Sequence, residues 1–140
     1  MGCYSAANIT ATYNVYCDGD YGCYNIDGRI EADGSVYVQG TRGAYSTDII
    51  AGDDIECSSE YSCYYSNLKA GDDIFIEANY AAYYATIIAS DDVACDGTYS
   101  CSRATITTDG NVDSTGDSGT YYATIVSGGY VYVRGYKGFS

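Results

Sequence analysis

Six of the seven cysteines repeat one spacing: Cys17 and Cys23, Cys57 and Cys63, Cys95 and Cys101, with five residues inside each pair. Thiols this close can ligate a metal or form a disulfide. Structural zinc sites use tighter, paired knuckles, and here each pair stands alone, so the spacing favours three disulfides that each close a short loop. Such bridges persist in oxidising compartments, which sets the expected location outside the cell, secreted or on its surface. Cys3 has no partner at this spacing and is expected to be free or intermolecular.

A second set of reactive groups is the double Asp: Asp53-Asp54, Asp72-Asp73 and Asp91-Asp92, recurring every 19 residues. Hard carboxylate oxygens at a repeating position suit Ca2+, the candidate ligand of these six side chains. The same residues also make good turns and keep an edge soluble. On either side the doublet gives way to Tyr13-Asn14, Gly34-Ser35 and Gly110-Asn111. No other feature calls for a cofactor. The chain has no His, and its six bases fall in different columns and coils, so no nucleophile, base or convergent acid pair is assembled. The expectation is a protein that is not an enzyme.

What positions these groups is a repeat. Small residues open successive coils at Gly2, Gly22, Gly43, Ser62, Ala81, Ser100 and Gly119, and Gly138 would open an eighth. An aliphatic column follows at Ile9, Ile30, Ile49, Leu68, Ile87, Ile106 and Ile125. A second stands six residues further on, at Val15, Val36, Ile55, Ile74, Val93, Val112 and Val131. A fixed period of about 19 with β-branched residues in register predicts an all-β parallel solenoid, a β-helix of seven flat, two-faced coils. In the fourth coil, alternation predicts strands over 62–70 and 74–78, with Cys63, Ser66, Leu68, Ala70, Ile74, Ile76 and Ala78 inward. The small column Ala11, Ala32, Ala51, Ala70, Ala89 implies a thin core. Each cysteine pair then joins the late strand of one coil to the opening of the next. At two unbridged junctions Val38/Ala44 and Ile76/Ala82 fill the same slot. Cys3 would pair before Met1, so 1–140 is expected to be one solenoid domain cut from a longer array.

The net charge of −13 argues against nucleic acid and anionic membrane as partners. No apolar stretch approaches the ~20 residues of a membrane-spanning helix. A sequon at Asn8-Ile9-Thr10 fits an outward position.

Tyrosine is abundant, with 19 residues, and six of them form a column: Tyr4, Tyr24, Tyr45, Tyr64, Tyr83 and Tyr121. These are expected to run down one face. At the turn, Tyr21, Tyr61, Tyr80 and Tyr99 form a partial second ladder, and Thr86, Thr105 and Thr124 line up in another outward column. The pieces Cys17-Asp-Gly19-Asp-Tyr21 and Cys95-Asp-Gly97-Thr-Tyr99 resemble the C-x-G-x-Y core of midge-type antifreeze solenoids. That resemblance covers short turns, in coils about twice as long. It implies that the six-Tyr column would be an ice-facing plane. From the residues themselves the expected function is a structural repeat segment of an extracellular fibre, surface coat or rigid spacer. Its expected partner is another copy stacked head to tail. Ice binding through the Tyr or Thr ladder is the alternative, and glycan binding on the aromatic face a further one.

Overall fold

Strict alternation of β-branched and polar residues, broken by Gly, Asn and Asp, leaves the chain little choice but short strands. A computed structural model describes residues 8–24, 26 and 28–136. Among these, every regular element is a strand: β1 (Ile9–Ala11), β2 (Val15–Cys17), β3 (Arg29–Ala32), β4 (Val36–Val38), β5 (Asp48–Ala51), β6 (Ile55–Cys57), β7 (Asn67–Ala70), β8 (Ile74–Ile76), β9 (Thr86–Ala89), β10 (Val93–Cys95), β11 (Thr105–Thr108), β12 (Val112–Ser114), β13 (Thr124–Ser127) and β14 (Val131–Val133). Odd-numbered strands form one seven-stranded parallel sheet and even-numbered strands a second. The protein is a parallel β-solenoid whose seven rungs are joined by about six turns of roughly 19 residues.

Pairing is in register throughout, with Ile30 beside Ile49 and Ile49 beside Leu68. The core is one column of each sheet facing the other. Ile30, Ile49, Leu68, Ile87 and Ile106 meet Val36, Ile55, Ile74, Val93 and Val112, and all are essentially inaccessible to water. Ala32, Ala51, Ala70 and Ala89 close the narrow end. At the next rung Thr108 takes this place, and its hydroxyl donates to the Asp91 carbonyl, so a polar residue is tolerated by bonding the turn.

The first strand of the fourth coil is shorter than alternation predicts: it begins at Asn67, and residues 62–65 belong to a turn. The Ser62, Tyr64 and Ser66 N–H groups donate three residues back, to the carbonyls of Ser59, Tyr61 and Cys63. Tyr61 and Tyr65 are left-handed, with φ of 57° and 59°. A left-handed residue reverses side-chain parity, which is why Ser66 points inward. The second strand ends at Ile76, and Ala78 already accepts a turn hydrogen bond from Ala81. This wide corner still stacks like a sheet, because the Tyr61, Cys63 and Tyr65 N–H groups donate to Asn79, Ala81 and Tyr83 one rung on.

Candidate functional site at the two corners of the coil

Each coil reverses twice, at the wide corner and at a narrow edge. The reactive groups singled out in the sequence fall at these two places. At the wide corner three disulfides tie the end of an even-numbered strand to the turn: Cys17–Cys23, Cys57–Cys63 and Cys95–Cys101, all buried. Intrachain bridges of this kind suit an oxidising environment. Cys3 and Tyr4 lie outside the described residues, as do the eighth-coil opener Gly138 and the residues before Asn8.

Tyr16 and Tyr37 stack on the outer face of the second sheet at 5.0 Å, but the tyrosines of the predicted columns are not on a sheet face. They wrap the wide corner in three rows, because the column that carries them lies within the turn. Tyr24, Tyr45, Tyr64 and Tyr83 stack at 5.4, 5.4 and 5.5 Å between ring centroids. Beside them Tyr61, Tyr80 and Tyr99 stack at 5.5 and 5.2 Å, and Tyr65 and Tyr84 at 5.1 Å. The rows lock edge to face, with Tyr64 against Tyr61 at 5.5 Å and against Tyr65 at 4.7 Å. Burial, then the neighbouring phenols, pushes the Tyr64 hydroxyl up to about 12. The column breaks at buried Ser102, whose hydroxyl donates to the Tyr121 carbonyl at 2.8 Å. In the outer row Arg103 takes the place of a ring, its guanidinium 5.4 Å from Tyr84 and 5.1 Å from Tyr122. Stacking therefore covers ring faces within these rows, while Tyr65, Tyr84 and Tyr122 of the outer row stay 49%, 42% and 55% exposed.

The narrow edge divides the six carboxylates into two kinds. Asp53, Asp72 and Asp91 are exposed; Asp54, Asp73 and Asp92 are half-buried. The second kind caps the next rung: Asp73 N–H donates to Asp54 Oδ1 at 3.1 Å, Asp92 N–H to Asp73 Oδ1 at 2.8 Å, and Asn111 N–H to Asp92 Oδ1 at 2.6 Å. Asn14 and Asn111 do the same for Ser35 and Tyr130. This ladder escaped the sequence reading, although Asn14, Ser35 and Asn111 in the same column were its signal. One oxygen of each capping Asp is thus engaged. Donor atoms of Asp72, Asp73 and Asp91 lie within 4.8 Å of one another, close enough to share a divalent cation. Asp73 above all, then desolvation and the other three carboxylates nearby, raise the Asp72 carboxyl above its ordinary value.

Thr86, Thr105 and Thr124 sit elsewhere, outward and exposed on the first sheet, paired rung to rung. No family model, curated protein or solved structure matches the chain.

Proposed function

We propose that this chain is a non-enzymatic structural repeat segment of an extracellular fibre, coat or spacer, able to extend by end-to-end stacking. The seventh rung carries this reading. Val131 is 40% exposed, whereas Val112 in the same column one rung below is 0% exposed. The outer edges of β13 and β14 pair with no further described strand. A first rung from another copy would complete both sheets and bury that column in the same geometry as every internal step. The test is light scattering across protein concentration and salt. Growth into filaments that Val131→Lys abolishes is expected, and a strict monomer at high concentration and salt would overturn the reading.

Ice binding is the second reading, and the Thr column favours it over the Tyr rows. Thr86, Thr105 and Thr124 stand on a sheet face with Ile88, Thr107 and Val126 beside them and no charge among the six. Thermal hysteresis lost on Thr105→Lys would support it, and none in the unmodified protein would end it. At the narrow edge, calcium held by Asp72, Asp73 and Asp91 would serve to rigidify the solenoid, not to supply chemistry.

A further inference from the structure

The charge of −13 is spread unevenly over the surface, and one face escapes it. The narrow edge carries the three Asp doublets with Asp33 and Asp109 and no base. The outer side of the second sheet has Glu56 and Asp113 in its strands and Asp18, Glu77 and Asp96 just beyond, against Arg134 alone. On the first sheet, by contrast, Arg29 and Lys69 balance Glu31 and Asp48. The last three rungs there present only Thr, Ile and Val outward, with Ile88 43% and Val126 60% exposed. Among the described residues the only ion pair is Arg134–Asp113, so none of these four charges has an ion-pair partner among them.

We infer that the outer face of the first sheet is a pairing surface for a second copy of this chain, laid side by side with its solenoid axis parallel. Two columns project from this face, one through Arg29, Asp48 and Asn67, the other through Glu31, Ile50 and Lys69. A two-fold axis parallel to the solenoid sets each column opposite the other column of the partner, rung against the same rung. Arg29 then meets the partner's Glu31, and Glu31 meets the partner's Arg29. Asp48 meets the partner's Ile50, with the partner's Lys69 one rung away. Thr86, Thr105 and Thr124 meet the partner's Ile88, Thr107 and Val126. The opposite orientation would set the charged rungs against the apolar ones and desolvate Arg29 and Glu31 without partners. A shallow groove of about 310 Å³ on this face, lined by Arg29, Ile50, Asn67, Lys69 and Ile88, gives projecting side chains of the partner somewhere to go.

The size of the face sets the strength. Seven rungs about 4.8 Å apart and strands about 13 Å long give on the order of 450 Å² per copy. A stable interface takes about 800 Å² per partner, so single chains should pair only at roughly 0.1 mM or weaker. Each added rung would enlarge the face in proportion.

The experiment is sedimentation equilibrium of the unglycosylated chain up to about 2 mM, since Asn8 lies at the first rung of the same column. A Val131→Lys background keeps growth from the seventh rung out of the count, so failure of pairing and failure of end-to-end stacking are read separately. The expected result is a closed monomer–dimer equilibrium. Arg29→Glu and Glu31→Arg should each weaken it about tenfold, because each ion pair occurs twice by symmetry. The double reversal should return it to within about threefold of the start. Thr105→Lys should weaken it by about tenfold or more, with the melting temperature of every variant confirming the fold. A monomer throughout, a dimer indifferent to Thr105→Lys, or single reversals that the double reversal fails to restore would each overturn the pairing.

Discussion

The wide corner and the narrow edge both reverse the chain while setting each residue above its own equivalent in the next rung, yet like-on-like stacking has opposite consequences in the two. At the corner the repeated group is a phenol, and stacked rings attract, each pair contributing about 0.5–1.5 kcal/mol beyond the area it buries. At the edge the repeated group is a carboxylate, and stacked charges repel unless something intervenes. The protein answers at the edge by giving alternate carboxylates a backbone N–H to accept, from Asp73, Asp92 and Asn111. At the corner it adds a covalent bond on alternate turns. A solenoid thus multiplies whatever its coil contains, favourable or not. The corner should hold stability, and the edge should cost it.

The largest test of that contrast is the disulfide. Cys57→Ile with Cys63→Ala copies the filling that Ile76 and Ala82 provide at the next junction, so the loop is opened without leaving a void. Closing a loop of about seven residues is worth about 2 kcal/mol, and urea denaturation should show a loss of that size. Opening all three loops should remove about 6 kcal/mol, comparable with the total stability of an ordinary domain. A loss below about 0.5 kcal/mol for the single pair would show that the rings, not the bridges, hold the corner.

The rings come next. Tyr64 lies between Tyr45 and Tyr83 and against Tyr61 and Tyr65. Tyr64→Leu keeps apolar bulk and removes the stacking, and should cost about 1–2 kcal/mol in the same assay. The row also predicts alkaline behaviour. Because the Tyr64 phenol is pushed up to about 12 in the fold, its contribution is fully present below the ordinary tyrosine value near 10. Between the two the unfolded chain ionises first, so stability should fall as pH rises through that window. Tyrosinate absorbance should contain a late-titrating component that Tyr64→Leu diminishes.

Much of this fold could be read from the sequence because the information is one-dimensional: in a parallel in-register stack, a column in the text is a column in space. Ile30, Ile49 and Leu68 were placed by counting alone, and so were the slots at Cys57 and Cys63. The turn interior was less accessible. Tyr64 continues the inward–outward alternation of a strand, and nothing in its side chain announces that Tyr61 and Tyr65 are left-handed. Left-handed backbone usually betrays itself through Gly or Asn. Here cross-rung hydrogen bonds and ring stacking hold tyrosine there instead. The column of Tyr24, Tyr45, Tyr64 and Tyr83 was therefore expected on a face and lies at the corner, beside the Tyr61, Tyr80 and Tyr99 row, which was expected at the turn. The capping role of Asp54, Asp73 and Asp92 was hidden for a related reason: a doublet looks like one motif, and only geometry separates its two members.

A smaller effect comes from the corner's one evident flaw. The Ser100 and Ser62 hydroxyls are buried and have no hydrogen-bond partner among the described residues. Ala81 occupies the same column at 0% exposure, so the site accepts a methyl group. Ser100→Ala should stabilise the protein by about 1 kcal/mol, since an unsatisfied buried hydroxyl is removed and nothing is lost. Destabilisation would reveal an ordered water satisfying the hydroxyl.

The subtlest test lies at the edge. Asp72 has a raised carboxyl because Asp73, Asp54, Asp91 and Asp53 surround it. The sign follows from linkage. With the folded value above the unfolded one, stability is lost as pH rises through the carboxylate range and regained on acidification. A modest rise in melting temperature is therefore expected as pH falls from neutral into the carboxylate range. Asp72→Asn should give part of the same rise at neutral pH and blunt the further gain from acid. Asp73→Asn should also be tolerated, because Asn111 already caps the next rung at that position with a neutral amide. Millimolar Ca2+ should raise the melting temperature of the unmodified protein where equivalent Na+ does not, and the Asp72→Asn, Asp73→Asn double variant should lose that response. If Ca2+ stabilises the double variant equally, the cation sits elsewhere and the edge is a plain charged turn. If neither acid nor Asp72→Asn raises the melting temperature, the carboxylates do not repel enough to matter, and the contrast between corner and edge rests on the corner alone.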